Sequence, residues 1–549
     1  MGDSLLSGPG DYDRVRARFR WPALDRLNMA RVCCDAWAER DPGRTAIIEV
    51  GPEFTLSTFT YGEMRQQAGR LAASFARAGL GPGDRIAIFL PQGRFVPIAH
   101  MAIYKLGAIA VPLAVLFGPE AITYRAADAG ARLIVTDRAG AARLAALRSA
   151  MPSVETILSM DGEADGAVAL ARFTEGAPEG FPTRDTHADD PALMIYTSGT
   201  TGHPKGALHA HRVLVGHLPG VEMHHDFLPQ PGDRLWTPGD WAWAGGSLNV
   251  LLPGLYFGVP VVAWAFQKFD PEAAFAMLNV AGVRNAFIPP TGLRMMRSVE
   301  NPMERFGLAL RTLASGGESL GTPTFDWGRE VLKLPINEFY GQTECNLVLS
   351  ASRAMGVMRP GMIGKPVPGH VVAVIREDGS MCDPEEPGQV AIRRPDPVMF
   401  LGYWNKPEAT QEKFIGDWMT TGDRGFRDAE GYIGFFGRDD DVITSAGYRI
   451  GPVEIEDCLI KHPAVALAAV VGKPDPLRTE IVTAFLVLRP GQQPSPALAD
   501  DIRAHVRKRL SAHEYPREIH FIDEMPLTTT GKVIRRILRD RLASEPRPT

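Results

Sequence analysis

The sequence predicts an α/β protein with largely parallel sheets, followed by a smaller α+β unit. Two observations support this fold class. Helix-like and strand-like segments alternate along most of the chain, a pattern typical of parallel sheets with crossover helices. A polar stretch, Gly437–Asp441, then precedes residues 442–549, where two long strand-like segments flank a short connection.

The first clear helix is predicted over residues 61–80. Met64, Leu71 and Phe75 fall near helical spacing, and glycines with a proline follow as stop signals. Strand-like apolar segments come next, at residues 85–90, 132–136 and 193–196. Helical stretches between them complete the alternation.

The C-terminal part has its own pattern. Strand-like segments occur at residues 465–471, 481–488 and 518–522. Between them, over residues 497–511, Leu498, Ile502, Val506 and Leu510 recur every four residues, which predicts an amphipathic helix. This part therefore reads as a separate small α+β unit.

Composition places the chain among ordinary globular proteins. Its 549 residues correspond to roughly three or four domain-sized units. Hydrophobic residues make up 45%, charged residues 22%, and the net charge is −5, which gives no reason to expect nucleic-acid binding. Five cysteines without a CxxC pair favour a reducing cytoplasm.

Two further segments bear on location and metal binding. The apolar run 248–266 contains prolines and glycines, so we expect buried strands and turns rather than a membrane span. Six of the 13 histidines lie between His203 and His225. A metal-binding or regulatory protein is therefore a rival hypothesis, although no cysteine or carboxylate cluster completes a zinc site. We expect these histidines on loop and helix surfaces.

The most informative motif runs from Tyr196 to Gly206. Its Gly, Ser and Thr residues provide backbone and hydroxyl donors close to an anion, and Lys205 adds positive charge. This is suitable chemistry for a polyphosphate. The order Pro204-Lys205-Gly206 does not match the end of a P-loop, which disfavours a P-loop NTPase.

This loop resembles the signature of the adenylate-forming superfamily, which contains acyl-CoA synthetases, luciferases and peptide-synthetase adenylation domains. Other matching motifs follow in the family's order: Ser315–Glu318, Phe339–Glu344, Thr420–Asp423, Gly437–Arg438, Gly447–Ile450 and Thr528–Val533. The resemblance implies a large N-terminal domain of packed α/β subdomains and a small mobile C-terminal domain. It implies an N-terminal AMP-binding domain over residues 1–436, a hinge at 437–441 and the mobile domain at 442–549.

The resemblance also implies roles for individual residues. Lys532 is the catalytic lysine of the first half-reaction, Thr343 bonds the α-phosphate, Glu344 holds Mg²⁺, and Lys205 adds charge in the loop. Asp423 and Arg438 contact ribose, and Tyr340 packs on adenine. The full set of implied ATP or AMP contacts is Thr197, Ser198, Gly199, Thr200, Thr201, Gly202, Lys205, Gly316, Gly317, Glu318, Tyr340, Gly341, Gln342, Thr343, Asp423 and Arg438.

The implied second half-reaction uses other positions. Asp440 matches the hinge about which the C-terminal domain rotates. Gly447 lines the pantetheine tunnel and Arg449 meets phosphate. Tyr448 and Arg478 complete the implied coenzyme A contacts.

The acyl pocket is expected to be walled by Trp241, Trp243 and Gly245. Gly341 stands where acetate-specific relatives carry a tryptophan that closes the pocket, so we expect a cavity longer than acetate requires. Each buried methylene adds about 0.8 kcal/mol. Cys345 and Asn346 depart from the Thr-Gly that many relatives have, so the resemblance does not define the edge of the pocket.

The resemblance therefore implies an AMP-forming acyl-CoA ligase for short- to medium-chain or branched acids, closest to the short/medium-chain branch. ATP, Mg²⁺ and coenzyme A are the implied cofactors. We expect a monomer or homo-oligomer with no nucleic-acid partner. Aromatic or sulfur-containing acids and acetate stay open as substrates. The remaining rivals are a carrier-protein-dependent adenylation domain, a luciferase-like oxygenase and an inactive nucleotide sensor.

Overall fold

The structure is a computed structural model that describes residues 2–6, 8–197, 203–266, 268–438, 441–445, 448–475, 478–510, 515–528 and 532–544. Side chains at positions 444, 448, 449 and 454 are also left undescribed.

Most strands belong to the segment before residue 439. The strands are β1 (Thr45–Val50), β2 (Leu56–Thr60), β3 (Arg85–Phe89), β4 (Ile109–Pro112), β5 (Leu133–Thr136), β6 (Thr156–Ser159), β7 (Val168–Ala169), β8 (Pro191–Thr197), β9 (Lys205–Ala210), β10 (Leu235–Trp236), β11 (Val261–Ala263), β12 (Asn285–Phe287), β13 (Thr312–Gly316), β14 (Ile336–Gln342), β15 (Cys345–Ser350), β16 (Lys365–Pro366), β17 (Val372–Ile375), β18 (Gly388–Arg393), β19 (Gly402–Tyr403), β20 (Phe414–Ile415), β21 (Trp418–Arg427), β22 (Ile433–Arg438), β23 (Ile443–Ser445), β24 (Tyr448–Ile450), β25 (Val465–Asp475), β26 (Thr479–Leu488) and β27 (Glu518–Phe521).

Helices alternate with these strands. They are α1 (Tyr12–Arg18), α2 (Ala36–Arg40), α3 (Tyr61–Arg77), α4 (Phe95–Leu106), α5 (Pro119–Ala129), α6 (Arg138–Ala145), α7 (Leu170–Phe173), α8 (Val213–His224), α9 (Ala244–Gly246), α10 (Leu252–Phe257), α11 (Pro271–Val280), α12 (Pro290–Met296), α13 (Pro302–Phe306), α14 (Thr322–Glu330), α15 (Pro407–Gln411), α16 (Pro452–Ile460), α17 (Pro496–Arg509) and α18 (Arg535–Ser544). Two π-helical turns, Arg31–Asp35 and Ser247–Leu251, precede α2 and α10.

The described strands form four sheets. An eight-stranded sheet has the order β19-β9-β8-β4-β3-β5-β6-β7, and a nine-stranded sheet has the order β16-β15-β14-β13-β12-β10-β11-β1-β2. Strands β3 to β8 of the first sheet pair in parallel. A third sheet contains β17, β18, β20, β21 and β22, and the C-terminal sheet contains β23 to β27. The predicted α/β architecture with a small C-terminal unit is confirmed.

The main core lies between the two large sheets. Ile86 and Ile88 of β3 point into it with α3 and α4, whereas Ala87 and Phe89 pack into a second cluster on the other face. Such alternation follows from the two-residue period of a strand. Because both faces are covered, β4 and β5 are wholly buried, as parallel strands usually are.

Local signals explain the start of α3. Thr60 accepts a bond from the backbone N–H of Glu63, and the Glu63 carboxylate accepts one from the backbone N–H of Thr60. This reciprocal capping box satisfies two of the donors that a helix start leaves free. Met64, Leu71 and Phe75 are then fully buried, so the helix predicted over 61–80 is confirmed with an earlier end.

The strands predicted at 85–90, 132–136, 193–196, 465–471, 481–488 and 518–522 are also confirmed, as is the helix over 497–511. Two expectations were wrong. The first part of the run 248–266 is helical, and only β11 is a strand there. The histidines from His209 to His225 are buried: His209 lies on the inner strand β9, and His217 and His224 lie on α8, which is covered on all sides. Within the described residues, no helix has the length and apolarity needed to cross a bilayer.

A buried ion pair ties the N-terminal segment to α4. The Lys105 ammonium lies 2.5 Å from the Oδ1 of Asp35 and donates to the hydroxyl of Thr183 at 2.9 Å. Thr183 donates in turn to the other oxygen of Asp35. Both charged side chains are at most 5% exposed. Removing one partner would therefore leave an uncompensated charge in the core.

We expect Asp35→Ala to lower the free energy of unfolding by about 3–5 kcal/mol, because Lys105 would keep its charge without a partner. Thermal unfolding of the purified protein measures the effect. The matched control is Glu39→Ala, which breaks the exposed pair with Arg31 and should cost less than about 1 kcal/mol. Equal losses in the two variants would contradict the analysis.

Candidate active site

The predicted phosphate loop connects two paired strands. Thr197 ends β8 and Lys205 begins β9, and these two residues are direct partners in the antiparallel ladder. Five of the predicted contacts, Ser198, Gly199, Thr200, Thr201 and Gly202, lie outside the described residues. The pairing nevertheless holds both ends of the loop side by side on two inner strands of the eight-stranded sheet.

Helix α5 supports this loop from one side. The Tyr124 ring stacks on the ring of His203 with centroids 5.0 Å apart, and its hydroxyl donates to the carbonyl of Pro204 at 3.0 Å. One turn further on, Asp128 accepts a bond from the hydroxyl of Tyr196 at 2.7 Å. The sequence motif gave no indication of these supporting residues, because they lie 68 to 80 positions before their partners in the chain.

Tyr403 joins two of the predicted charged residues. The Lys205 ammonium lies 4.9 Å from the centroid of the Tyr403 ring, a cation–π geometry. The Tyr403 hydroxyl donates to the Oε1 of Glu344. Burial and the neighbouring Glu344 carboxylate raise the pKa of Tyr403, so the hydroxyl stays a donor. No sequence motif points to Tyr403, because only the pairing of β19 with β9 brings it next to Lys205 and Glu344.

Glu344 is the predicted magnesium ligand, and its setting fits that use. Its side chain is buried, with the residue 6% exposed. The described residues contain no group of three or more His, Cys, Asp or Glu side chains able to enclose a metal. Mg²⁺ commonly binds one or two carboxylates together with substrate phosphates. The donor set therefore suits a metal that is shared with a nucleotide.

The ribose residues lie on adjacent strands. Asp423 on β21 and Arg438 on β22 are direct partners in the antiparallel ladder. The Oδ2 of Asp423 accepts bonds from the Tyr340 hydroxyl at 2.5 Å and from the Gln342 amide at 2.7 Å. Burial raises the pKa of Asp423, which the bond from Tyr340 and the charge of Arg438 oppose. Tyr340 thus orients Asp423, a function that the predicted contact with adenine did not include.

The Ser315–Glu318 segment ends β13. A Cβ on Gly316 would lie 2.6 Å from the carbonyl of Phe339, so glycine here permits close packing against β14. Gly317 has a φ of +95°, which a side chain would strain. The Glu318 carboxylate accepts bonds from Thr291 at 3.0 Å and from Arg294 at 3.1 Å. The protein itself therefore holds this carboxylate in place.

Lys532 approaches this segment from the C-terminal unit. A Cβ on Gly317 would lie 3.7 Å from the Cε and 4.0 Å from the Nζ of Lys532. The lysine keeps an exposed surface, but the walls of the cleft desolvate its ammonium and lower its pKa, whereas Glu318, Asp423 and Glu344 raise it. The structure therefore brings together four residues that are widely separated in the sequence.

Lys532 sits in a short hairpin. The Thr528 backbone N–H donates to the carbonyl of Lys532 at 2.7 Å, and the Lys532 N–H donates to the hydroxyl of Thr528 at 3.0 Å. Leu527 and Val533 form an isolated antiparallel bridge beside them. These bonds fix the base of the hairpin.

A second contact between the two units lies at the start of α14. Asp457 on α16 packs against the first turn of α14. Its carboxylate lies where a side chain at Gly321 would be, 2.7 Å from an ideal Cβ. Burial raises the pKa of Asp457 to about 6. The C-terminal unit is thus docked with Lys532 over the Glu318 segment.

The predicted coenzyme A residues are only partly described. Gly447 and the hinge residue Asp440 lie outside the described residues. Tyr448 and Arg449 belong to β24, which pairs with β23, but their side chains are not described. The backbone N–H of Arg478 donates to Asp475 in the turn between β25 and β26.

The predicted pocket residues separate into two groups. Trp243 is half-buried and packs edge-on against Phe117, with centroids 5.5 Å apart. A Cβ on Gly245 would lie 3.0 Å from the ring of Phe287. Trp241, in contrast, is 1% exposed and belongs to the main core. Trp243 is therefore the more accessible of the two tryptophans predicted to wall the pocket.

The interpretation of Gly341 also needs correction. A Cβ at this position would lie 2.0 Å from the backbone nitrogen of Leu347 and 2.8 Å from the Cα of Asn346. A side chain at 341 would therefore meet backbone rather than open space. A tryptophan there requires residues 346–347 to move, and glycine alone does not establish a long cavity.

Comparison with known proteins identifies the family of this chain. The profile of the family described as AMP-binding enzyme matches residues 34–404, and the profile described as AMP-binding enzyme C-terminal domain matches residues 454–532. The chain is 32% identical to the acetyl-coenzyme A synthetase of Bacillus subtilis, covering 96% of this chain and 94% of that one. It is 30% identical to the human mitochondrial acyl-coenzyme A synthetase ACSM4, covering 97% and 93%.

Solved structures give the same result. An acyl-CoA synthetase from Brucella canis aligns with a TM-score of 0.75 at 32% identity, covering 97% of this chain and 99% of that one. The anthranilate CoA ligase AuaEII, in complex with anthranoyl-AMP, aligns with a TM-score of 0.87 at 27% identity, covering 95% and 98%. The chain therefore belongs to the family of AMP-binding enzymes, as an adenylate-forming acyl-CoA synthetase.

Proposed function

We propose that this synthetase activates a short- to medium-chain or branched carboxylic acid with ATP, forms acyl-AMP and transfers the acyl group to coenzyme A. One observation carries the proposal: Lys532 of the C-terminal unit lies against Gly317 and within electrostatic reach of Asp423 and Glu344. A cation placed there faces both the ribose residues and the magnesium carboxylate.

The first half-reaction needs this arrangement because its two reactants are anions. The acid's carboxylate oxygen forms a bond to the α-phosphorus, and the bond from that phosphorus to the pyrophosphate leaving group breaks. In our proposal Lys532 and Thr343 neutralise and orient the α-phosphate, and Lys205 with the 197–202 loop holds the outer phosphates. Fixed charges of this kind lower the barrier without reorganising during the reaction.

Glu344 would hold Mg²⁺, which supplies positive charge between phosphate oxygens when bound. Tyr403 acts on this carboxylate and not on the substrate. By donating to the Oε1 of Glu344, it limits rotation of the carboxylate and leaves the other oxygen to face the nucleotide. Tyr403 is therefore a positioning residue.

The second half-reaction is proposed to follow rotation of residues 442–549 about the hinge at 437–441. Arg438 ends the third sheet as part of β22, whereas Asp441 is bonded to Arg539 of α18 at 2.9 Å. These anchors support a pivot between them, near Asp440. Rotation would withdraw Lys532 and present Gly447, Tyr448, Arg449 and Arg478 to coenzyme A. The thiol then attacks the acyl carbonyl, and AMP leaves.

The names of two relatives support the alternative acids as substrates. The Bacillus subtilis relative is named as an acetyl-coenzyme A synthetase, and AuaEII is named as an anthranilate CoA ligase. Acetate and aromatic or sulfur-containing acids therefore stay as second candidates. A cytoplasmic location is also part of the proposal. It is supported by five buried cysteines without disulfides, although the human relative is named as mitochondrial.

A panel of acids tests the reaction. We expect the purified protein with Mg²⁺, ATP and coenzyme A to release AMP and pyrophosphate with straight-chain acids longer than acetate. Specificity should rise up to about fourfold per methylene until the pocket is full. The assay runs from acetate to dodecanoate, with branched and aromatic acids included. Release of ADP and orthophosphate instead would overturn the proposed function.

Lys532→Ala separates the two half-reactions. We expect ATP–pyrophosphate exchange to fall by about 100-fold or more, since the α-phosphate loses its fixed cation. Thioester formation from supplied acyl-AMP and coenzyme A should be largely retained. Lys508→Ala, which removes an exposed charge from the same unit, is the control and should leave both rates unchanged. Normal exchange in Lys532→Ala would refute the role of this lysine.

Tyr403→Phe tests the positioning of Glu344. The variant keeps the ring beneath Lys205 but removes the hydroxyl, and a hydrogen bond to a charged group is worth about 1.5–3 kcal/mol. We expect exchange to slow about tenfold and to need more Mg²⁺. Tyr432→Phe is the matched control, because Lys365 lies 4.8 Å from its ring and its hydroxyl bonds only a carbonyl. An unchanged magnesium titration in Tyr403→Phe would argue against the assignment.

A further inference from the structure

Two buried asparagines meet close to the acyl-pocket segment. Asn249 lies in the π-helical turn Ser247–Leu251, and Asn346 lies on β15. The Nδ2 of Asn346 donates to the Oδ1 of Asn249 at 2.7 Å. Asn249 is fully buried, and Asn346 is 7% exposed. A polar contact thus occupies a place where an alkyl-binding pocket would carry hydrocarbon.

One donor of this pair has no protein partner. The Nδ2 of Asn249 is buried and finds no acceptor among the described residues. Exchanging the oxygen and nitrogen of the Asn249 amide would not remove the problem, because two N–H groups would then face each other. Native proteins rarely leave a buried donor unpaired, and such groups often have a functional explanation. The orphaned N–H is therefore evidence for a ligand acceptor.

Helix geometry places Asn249 next to the pocket. Gly245 and Asn249 are four residues apart on one continuous helical segment, about one turn, so they lie on roughly the same face. On that face a Cβ at Gly245 would lie 3.0 Å from the Phe287 ring. Phe287 in turn packs on Phe339 at 4.9 Å, directly before the Tyr340 motif.

The β14 segment, which we expect on the opposite side of the pocket, leads to the same asparagine pair. The missing side chain of Gly341 points at the Cα of Asn346, 2.8 Å from an ideal Cβ. Asn346 therefore lies directly behind the β14 motif, which we place around the acyl-AMP, and reaches from there to Asn249. Both segments that we expect to wall the pocket therefore lead to the same buried amide pair.

We propose that the acyl pocket is built for a carboxylic acid whose chain or ring carries a hydrogen-bond acceptor, such as a carbonyl oxygen, an ether oxygen or a ring nitrogen, which the free N–H of Asn249 binds. The inference rests on the proposed function and deepens it by naming the substrate class. A purely apolar acid would leave the donor unpaired, and sites with a buried polar group discriminate strongly against such analogues.

The experiment compares acids of matched size with the full chain, Mg²⁺, ATP and coenzyme A. Hexanoates with an oxo group at carbon 3, 4 or 5 are each paired with the corresponding methyl-branched acid, and pyridine-3-carboxylate is paired with benzoate. The readout is kcat/KM for acyl-CoA formation. In at least one pair we expect the acid with the acceptor to be preferred about tenfold or more.

Variants then assign this preference to the proposed donor. Asn249→Leu keeps the approximate volume but removes the N–H, so the ratio should fall to one or below while kcat/KM for the apolar acid rises. Asn249→Asp keeps the acceptor for Asn346 and should also lose the preference at neutral pH. His224→Phe is the control, because His224 is likewise buried and unpaired and stacks on Phe339, and it should keep the ratio. Thermal unfolding checks that each variant is folded.

The outcomes separate this inference from the function on which it rests. Equal or better use of the apolar acid in every pair would overturn the inference while leaving acyl-CoA synthesis intact. A ratio that collapses in His224→Phe and survives in Asn249→Leu would overturn it as well. If no acid releases AMP and pyrophosphate, the proposed function itself fails.

Discussion

The ammonium of Lys532 lies within electrostatic reach of three carboxylates, and this attraction constrains the arrangement around it. Glu318 follows β13, Glu344 lies between β14 and β15, and Asp423 lies on β21, so strands of two sheets must meet at one place. Each carboxylate already receives a bond from a neighbouring protein donor. Their positions are therefore fixed before a nucleotide arrives. A triphosphate adds more negative charge, which explains why a cation must be brought from another part of the chain.

The C-terminal unit makes a second contact with the preceding part of the chain. The carboxylate of Asp457 packs against Gly321 at the start of α14, 2.7 Å from an ideal Cβ there. Burial raises the pKa of Asp457 to about 6, so the docked arrangement favours the protonated carboxyl. Docking is then strongest below the ordinary pKa of the carboxyl, weakens as the pH rises to about 6, and carries the full desolvation cost above it. Such a contact suits a unit that would leave after the first half-reaction in the proposed mechanism.

Sequence patterns predicted the features that depend on residues close together in the chain. Alternating apolar runs located β3 and β5, four-residue spacing located α17, and motifs located Lys532 and Asp423, which the structure brings together. Features created by distant contacts were not predictable. Tyr403 has no motif of its own, because its function arises from the pairing of β19 with β9. The histidines of α8 have a polar side chain that suggests a surface, but packing on all sides of the helix decided their burial.

At Gly341, a glycine that backbone packing requires can be mistaken for an indication of the substrate's length. Leu347 has a φ of +66°, a strained conformation for a leucine. Its side chain fills the space left by Gly220, where an added Cβ would lie 2.4 Å from the Leu347 Cγ. This conformation turns the Leu347 N–H towards residue 341 and leaves room there for glycine only. The glycine is thus explained by packing of β14 against β15, whatever acid is bound. In our proposal the depth and polarity of the pocket are then set by side chains such as Trp243 and Asn249.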